Sequence, residues 1–271
     1  MASLAELQER RAYELRLTPD RALETLDEAE EFLHDRGLLT RTADSALPSL
    51  YEAFHEDPYK PGVGGFGDWP ATKWPWFGEL AERDGVYALK IHRGKHMLLT
   101  EEVARLADPI LRSEIERMRT EADDWARLLD HLATAGPSQI EDLQVELALR
   151  PKELKDLRYP LELCGAVVSR SLAVSAGRGE AHSHSSELAR WDQVFPEPSG
   201  EGGLEDLVVA GVHAAVVAPE RELPRWFSWR FLWRKGLVDI LVDEGRLWRP
   251  EPGWVSAAET ASAPAPAAPE R

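Results

Sequence analysis

The chain has 271 residues, of which 43% are hydrophobic, and its formal net charge is −16. This length fits one large domain or two to three small ones, and the apolar content is sufficient for a core. There is no run of about eighteen apolar residues and no apolar core of a signal peptide, so no membrane span is expected. The single cysteine, Cys164, excludes a framework of intrachain disulfides. We expect a cytoplasmic protein that does not bind membranes.

The acidic residues are unevenly distributed. Residues 1–50 contain eleven acidic and six basic residues, and residues 101–150 contain twelve and six. An acidic surface repels phosphates, which argues against a protein that coats nucleic acid over its whole surface. Three windows, 85–100, 163–179 and 223–238, contain no acidic residue, and each contains basic residues. Such gaps also arise by chance. However, the windows recur at one position of an order of helices and strands that repeats along the chain, as described below, and this recurrence indicates local binding.

The chain begins with a predicted helical extension over residues 1–19, which lacks a clean apolar stripe. Thr18 is then predicted to cap a helix, with Pro19 at its first helical position. Apolar residues follow at helical spacing until Gly37, which is typical of a helix end. Residues 38–42 are predicted to be a short connector.

The stretch that follows predicts a helix that leads into a hairpin. Asp44 or Ser45 is predicted to cap a second helix, and a third, aromatic helix begins near Trp69. Two β-rich runs then flank Gly94, which is the spacing of a hairpin with a glycine in its turn. The runs are Val86–Ile91 and Lys95–Thr100. Residues 20–100 therefore predict a winged helix-turn-helix unit.

The same element order is predicted twice more. The fold class is mostly α with small β-hairpins (α+β), in three tandem winged helix-turn-helix modules. The predicted segments are module 1 (20–100), linking helices broken near Asp108-Pro109 (101–120), module 2 (121–195), a linker (196–203), module 3 (204–255) and a disordered tail (256–271). In module 2, Ser138 and Glu141 form a predicted capping box. Its predicted last helix and strands are 152–164, 166–174 and 182–188. Module 3 has one or two helices within 220–244 and a small wing at 247–249 and 254–255.

Three tandem units of this kind resemble the AlkZ/YcaQ-type DNA glycosylase superfamily, whose bacterial members remove alkylated bases and unhook interstrand crosslinks. Two stretches carry the resemblance besides the element order. Residues 36–42, Arg-Gly-Leu-Leu-Thr-Arg-Thr, are similar to the family's helix end and catalytic tripeptide. Residues 80–100 are similar to its segment in which a helix enters a hairpin. The resemblance spans about residues 20–255 and implies DNA binding, with DNA repair as the setting.

The catalytic tripeptide departs from the family pattern, which is Gln, an apolar residue, and then Gln or Asp. This chain has Thr40, Arg41 and Thr42 there, so we predict no catalytic residue at the motif. Base excision requires a group that holds water or stabilises an oxocarbenium-like centre, and hydroxyls are poor substitutes for a carboxylate or an amide. Asp44, two residues further on, is the one weak catalytic candidate, although a capping role explains it.

Nine basic residues are the candidate DNA contacts, most of them in the acid-free windows. They are Lys73, Lys90, His92, Arg93, Lys95, Arg170, Arg178, Arg230 and Arg234. Arg93 and Lys95 flank Gly94 at the predicted hairpin tip. We expect a monomer that binds double-stranded DNA, damaged or distorted duplex included, with no metal and no cofactor.

Three functions remain open. The first is DNA binding without the family's glutamine-based catalysis, the second is a divergent active glycosylase, and the third is a protein-interaction module that does not bind DNA. A glycosylase requires a pocket for a flipped base. Contiguity of the three basic windows in space favours the first two functions over the third.

Overall fold

The computed structural model describes residues 2–61, 66–174 and 183–258, in which helices alternate with small antiparallel sheets. The α-helices are α1 (Leu4–Glu14), α2 (Leu26–Arg36), α3 (Leu50–Ala53), α4 (Trp76–Ala81), α5 (Glu101–Glu121), α6 (Asp123–Ala135), α7 (Ile140–Glu146), α8 (Pro151–Cys164), α9 (Trp191–Val194), α10 (Leu204–Ala215) and α11 (Leu237–Asp243). The strands are β1 (Leu38–Thr40), β2 (Val86–His92), β3 (Lys95–Thr100), β4 (Ser138–Gln139), β5 (Val167–Val174), β6 (Ser183–Arg190), β7 (Ala218–Pro219), β8 (Leu247–Trp248) and β9 (Trp254–Ala257). Short 3-10 helices cover Pro19–Arg21, Phe66–Asp68, Glu220–Arg225 and Arg230–Leu232. The predicted α+β class is confirmed.

The strands form three sheets of three strands that share one connectivity. Their orders are β1-β3-β2, β4-β6-β5 and β7-β9-β8, so the last strand of each set is always central. A helix precedes the first strand of each sheet, and helical segments separate that strand from the hairpin. In the first hairpin Val86 pairs with Thr100 and His92 pairs with Lys95. The hairpin predicted around Gly94 is therefore present, and the same element order occurs three times.

The three sheets share one continuous apolar core. Its buried residues include Leu38 from the first sheet, Leu188 from the second and Val255 from the third, together with Leu111 of the long helix α5. A smaller cluster around Phe32 and Phe77 packs under the first sheet. The N-terminal helix α1 also packs on the body of the protein, because its Leu7 joins Val216 in a third buried cluster.

Helix α5 is continuous, although the sequence predicts a break near Asp108-Pro109. A proline inside a helix removes one hydrogen bond and disfavours that conformation. Here Asp108 is buried, and its carboxylate accepts hydrogen bonds from Trp191 Nε1 at 2.7 Å, Arg112 Nε at 2.8 Å and Ser199 N at 2.9 Å. These tertiary contacts hold the helix through the proline, which explains why the local signal was wrong.

Several predicted helix starts were also wrong. Thr18 leads only into a short 3-10 helix, and α2 begins later, capped by the Thr25 side chain. The cap of the second helix is Ser49, because Asp44 forms other contacts. The aromatic helix begins at Trp76 rather than near Trp69.

The predicted capping box of Ser138 and Glu141 is absent. Ser138 lies in β4, and its hydroxyl donates to the carbonyl of Gly136 at 2.9 Å. The disordered tail was predicted to start too early, since residues 256 and 257 belong to β9. Residues 259–271 and the loop 175–182 lie outside the described residues. Each helix in the described parts of the chain is too short or too polar to cross a membrane.

Gly165 ends α8 at the point where that helix meets the first hairpin. Its φ is +78°, and an added Cβ would lie 2.2 Å from Leu111 Cδ2 and 3.2 Å from Ile91 Cγ2. Gly245 ends α11 with a φ of +72°, but an added Cβ there would meet no atom within 4 Å. The two positions therefore share backbone strain and differ in packing.

We expect Gly165→Ala to lower the free energy of unfolding by roughly 2–4 kcal/mol, the sum of left-handed backbone strain and overpacking. The matched control Gly245→Ala retains only the backbone part, about 1 kcal/mol. Urea unfolding of both variants measures the difference. Equal destabilisation of the two variants would contradict close packing of α8 on the first hairpin and α5.

Candidate functional site

The tip of the first hairpin is turned into the protein. His92 is fully buried, its Nε2 lies 2.7 Å from Asp44 Oδ1, and its Nδ1 lies 2.7 Å from the carbonyl oxygen of Trp226. Both ring nitrogens of His92 therefore lie within hydrogen-bond distance of an oxygen, and His92 connects the hairpin to two other segments.

The neighbours of His92 extend this connection. Arg93 donates hydrogen bonds to the backbone carbonyls of Asp44 and Arg225, and Lys95 Nζ lies 2.8 Å from Asp44 Oδ2. We name the set Asp44, His92, Arg93 and Lys95 the hairpin lock. Burial alone would raise the pKa of Asp44, but hydrogen bonds from His92 and Lys95 outweigh it and lower the pKa to about 2. Asp44 is therefore a paired structural carboxylate, and three predicted DNA contacts have partners within the chain.

The tripeptide that resembles a catalytic motif is split between two environments. Thr40 and Thr42 are buried, and the Thr40 hydroxyl donates to the carbonyl of Pro48 at 3.0 Å. Arg41, between them, points the other way and lines a cleft. The chain bends directly after β1, at Arg41 and Thr42.

This cleft, which we name the basic cleft, lies between the first sheet, α4, α8 and β5 and has a volume of about 260 Å³. Its charged lining consists of four cations and two carboxylates. When His96 is neutral, the lining therefore has an excess of two positive charges. These residues are Arg41, Lys90, Arg158, Arg170, Glu82 and Glu162. Phe77 and Tyr87 form apolar walls, and Arg170 is exposed at the rim.

Arg41, like the exposed Arg170, has no ionic partner among the described residues. Its guanidinium lies 4.3 Å from the ring centre of Phe77 and 5.2 Å from that of Trp69, distances of cation–π contacts. Its Nε is buried without a hydrogen-bond acceptor in the described chain. Burial lowers the pKa of the Arg41 guanidinium. Such a group is a strong potential donor to an anion.

Among the other polar groups of the cleft, the Glu162 carboxylate is paired and His96 is neutral. Glu162 Oε2 lies 3.3 Å from Lys90 Nζ, and its Oε1 lies 3.4 Å from Arg158 Nη1. Burial, together with the charges of Arg41 and Lys90, lowers the pKa of His96 to about 4. The His96 imidazole is therefore neutral at pH 7.

A second cavity adjoins the basic cleft on the other side of α8, with a volume of about 490 Å³. Its aromatic lining includes Tyr159 and the exposed ring of Phe231, and its cations include Arg225 and Arg230. Lys90 Nζ lies 4.8 Å from the ring centre of Tyr159, so the two cavities meet at this contact. We name this second space the aromatic cavity.

The remaining predicted DNA contacts lie in different places. Lys73 donates to the carbonyl of Leu23 at 2.7 Å and pairs with Glu24, and Arg234 pairs with Glu205. Arg170 and Arg230 are exposed, and neither has an ion pair with a described residue. Arg178 lies outside the described residues.

Sequence reasoning missed four members of the basic cleft as candidate contacts, namely Arg41, His96, Arg158 and Glu162. The i, i+4 spacing of Arg158 and Glu162 on a predicted helix was a usable signal for a paired face. No local pattern indicated that this face would meet the first sheet.

Comparisons of the chain with protein-family models, curated proteins and solved structures found no match. Within residues 2–61, 66–174 and 183–258, no three His, Cys, Asp or Glu side chains lie close enough together to hold a metal ion. The functional interpretation therefore depends on the geometry of the two cavities.

The hairpin lock gives a prediction about acid stability. The folded-state pKa of Asp44 is about 2 against an ordinary 3.8, so its stabilisation is complete above about pH 4 and is lost as the pH falls towards 2. We expect Asp44→Asn to lower the free energy of unfolding by about 2 kcal/mol at pH 7 and by much less near pH 2.5.

Urea unfolding at the two pH values measures this difference. Asp84→Asn, a change at an exposed carboxylate, is the matched control and should have little effect at either pH. If Asp44→Asn lowered the free energy of unfolding by the same amount at pH 7 and at pH 2.5, the pairing of Asp44 with His92 and Lys95 would be contradicted.

Proposed function

We propose that the protein binds double-stranded DNA with three tandem winged-helix units and does not cleave the N-glycosidic bond. The repeated connectivity of helix, short strand, helical segments and hairpin supports the winged-helix assignment. The resemblance of residues 36–42 and 80–100 to AlkZ/YcaQ-type glycosylases supports DNA as the partner. The binding surface consists of the basic cleft and the aromatic cavity.

One observation carries this proposal, namely the reversal of charge around the two cavities. Their linings contain eight Lys and Arg residues against four carboxylates. The whole chain contains 32 Lys and Arg against 48 Asp and Glu. A local excess of cations in an acidic chain attracts phosphates to one surface and repels them elsewhere.

The exposed residues of this surface suit phosphates and bases. Arg170 lies at the rim of the basic cleft, and Arg230 lies beside the exposed ring of Phe231 in the aromatic cavity. Arginine binds phosphate oxygens through several N–H groups, and an exposed ring stacks on an unpaired base. Distorted duplex, in which a base is unstacked, is therefore the favoured substrate class for binding.

The polar groups of the basic cleft do not support base excision. Thr40 and Thr42 are buried, and both oxygens of Glu162 face cations. The Arg41 charge opposes the positive charge that develops on the sugar in the transition state. These contacts favour binding over bond cleavage.

Neutralising the exposed arginines tests DNA binding. We expect Arg170→Ala and Arg230→Ala each to weaken duplex binding and to reduce the magnitude of the log–log salt slope by roughly 0.9, the loss of one phosphate contact. Gel shift or fluorescence anisotropy at several salt concentrations measures both quantities.

Arg221→Ala is the matched control, because Arg221 is exposed and lies outside both cavities. Its salt slope should equal that of the wild type. Wild-type protein that binds no duplex at low salt would refute the proposal.

The second test concerns catalysis. We expect the purified wild-type protein to release no N7-alkylguanine from alkylated duplex, because the Glu162 carboxylate of the cleft is paired with Lys90 and Arg158, and the hydroxyls of Thr40 and Thr42 are poor substitutes for a carboxylate. Chromatography of released bases measures this, with an active glycosylase as the positive control. Base release that survives Asp44→Asn and Glu162→Gln would place an active site elsewhere in the chain.

The alternative function is a protein-interaction module. The hairpin lock favours it, because the basic residues at the hairpin tip already have partners within the chain, namely Asp44 and the backbone of Arg225. The duplex-binding titration distinguishes the two functions, since an interaction module has no salt-dependent affinity for DNA.

A further inference from the structure

Arg41 presents an anion-binding geometry that the packing of the cleft does not satisfy. The rings of Phe77 and Trp69 fix the guanidinium plane, while its buried Nε has no acceptor among the described residues. An unsatisfied buried donor is costly, and for a charged group the cost is larger. Because Arg41 lines the cleft, a ligand there that supplies acceptor oxygens would compensate the guanidinium charge.

The rest of the cleft selects the ligand by charge and size. Lys90 shares the cavity with Arg41, and an excess of two positive charges remains after Glu82 and Glu162 are counted. A volume of about 260 Å³ is small for an organic ligand but sufficient for a phosphate group with part of what it is attached to. His96, within the same cavity, has a ring that can donate a proton to an anion.

We propose that the basic cleft binds one phosphate group, with the Arg41 guanidinium as its principal donor and His96 beside it. This inference deepens the proposed function and rests on it only in naming DNA as one source of the phosphate. A free phosphate compound, such as a nucleotide, is the other source. Both sources present the same phosphate oxygens to Arg41.

The protonation of His96 is coupled to this binding. Other charged groups line the cavity together with His96. Arg41 follows β1, Lys90 lies in β2, Glu82 follows α4, Arg158 and Glu162 lie in α8, and Arg170 lies in β5. Burial, together with the charges of Arg41 and Lys90, lowers the pKa of His96 to about 4, and a bound anion favours its protonated form. Affinity should therefore rise as the pH falls, with proton uptake on binding.

Calorimetric titration of the full chain with inorganic phosphate at low ionic strength tests the site. We expect saturable binding of one phosphate to the wild type and at least about tenfold weaker binding to Arg41→Met, the loss of a charged hydrogen-bond donor. Arg221→Met, the matched control, should bind as the wild type does. Equal binding of phosphate to Arg41→Met and the wild type, or none to the wild type, would overturn the proposal.

Arg41→Lys keeps the charge but loses the planar fork, and we expect it to bind with intermediate affinity. This variant also serves if Arg41→Met does not fold. Sulfate, which stays a dianion, reports the coupling to His96. Its affinity should be higher at pH 5.5 than at pH 7.5 in the wild type and independent of pH in His96→Gln, whereas a wild type without pH dependence would exclude His96 from the site.

Competition with duplex DNA identifies the source of the phosphate. Displacement of DNA by phosphate, and weaker DNA binding by Arg41→Met, would assign the site to a DNA phosphate. Unchanged DNA binding by a variant that has lost phosphate binding would assign it to a free phosphate compound. Phosphate binding by a protein that binds no DNA would refute the proposed function while supporting the phosphate site.

Discussion

The arrangement of the chain depends on one imidazole that has an acceptor oxygen at each nitrogen. His92 is fully buried between the Asp44 carboxylate and the Trp226 carbonyl, each at 2.7 Å. Because hydrogen bonds to the ionised Asp44 carboxylate are short and strong, and a lost partner leaves that carboxylate uncompensated, this contact tolerates little movement. The same hairpin packs on α8 where Ile91 meets Gly165. The hairpin lock therefore helps fix the distance between the sheet and the helix that form two walls of the basic cleft.

This constraint divides the basic residues into two groups. At the hairpin tip, Arg93 and Lys95 form contacts with Arg225 and Asp44 that hold the first sheet against the segment around Trp226. Their charges are therefore partly compensated within the chain. Further along the same hairpin, Lys90 and His96 face the basic cleft. Because the hairpin register shifts between Leu89 and His92, one acid-free window supplies both a structural connection and a potential binding surface. The three acid-free windows do meet in space, because Ser228 N donates to the Ile91 carbonyl at 2.8 Å and Trp229 Nε1 donates to the Cys164 carbonyl at 3.0 Å.

Much of the element order was predictable from local signals. Gly37 and Gly165 end helices with a positive φ, and the spacing around Gly94 predicted the hairpin, because these features depend on a few neighbouring residues. The start of the second helix was not predictable, since the Asp44 side chain binds His92, which lies 48 residues away. The continuity of α5 through Pro109 likewise depends on Trp191 and Ser199. For the candidate site, the sequence indicated the basic windows, but it did not indicate which of their basic residues would form ion pairs within the chain.

The position of Arg41 also bears on whether this surface binds or cleaves. An enzyme accelerates a reaction only through contacts that are stronger in the transition state than in the ground state. A buried guanidinium stabilises an anion that is present throughout, such as a phosphate, and it opposes a sugar that becomes cationic. Replacing the buried Thr40 and Thr42 with larger polar residues would disturb the packing under β1 before it placed an amide in the cleft. The motif's only charged side chain thus lines the cleft, and its charge suits the ground state of a bound phosphate.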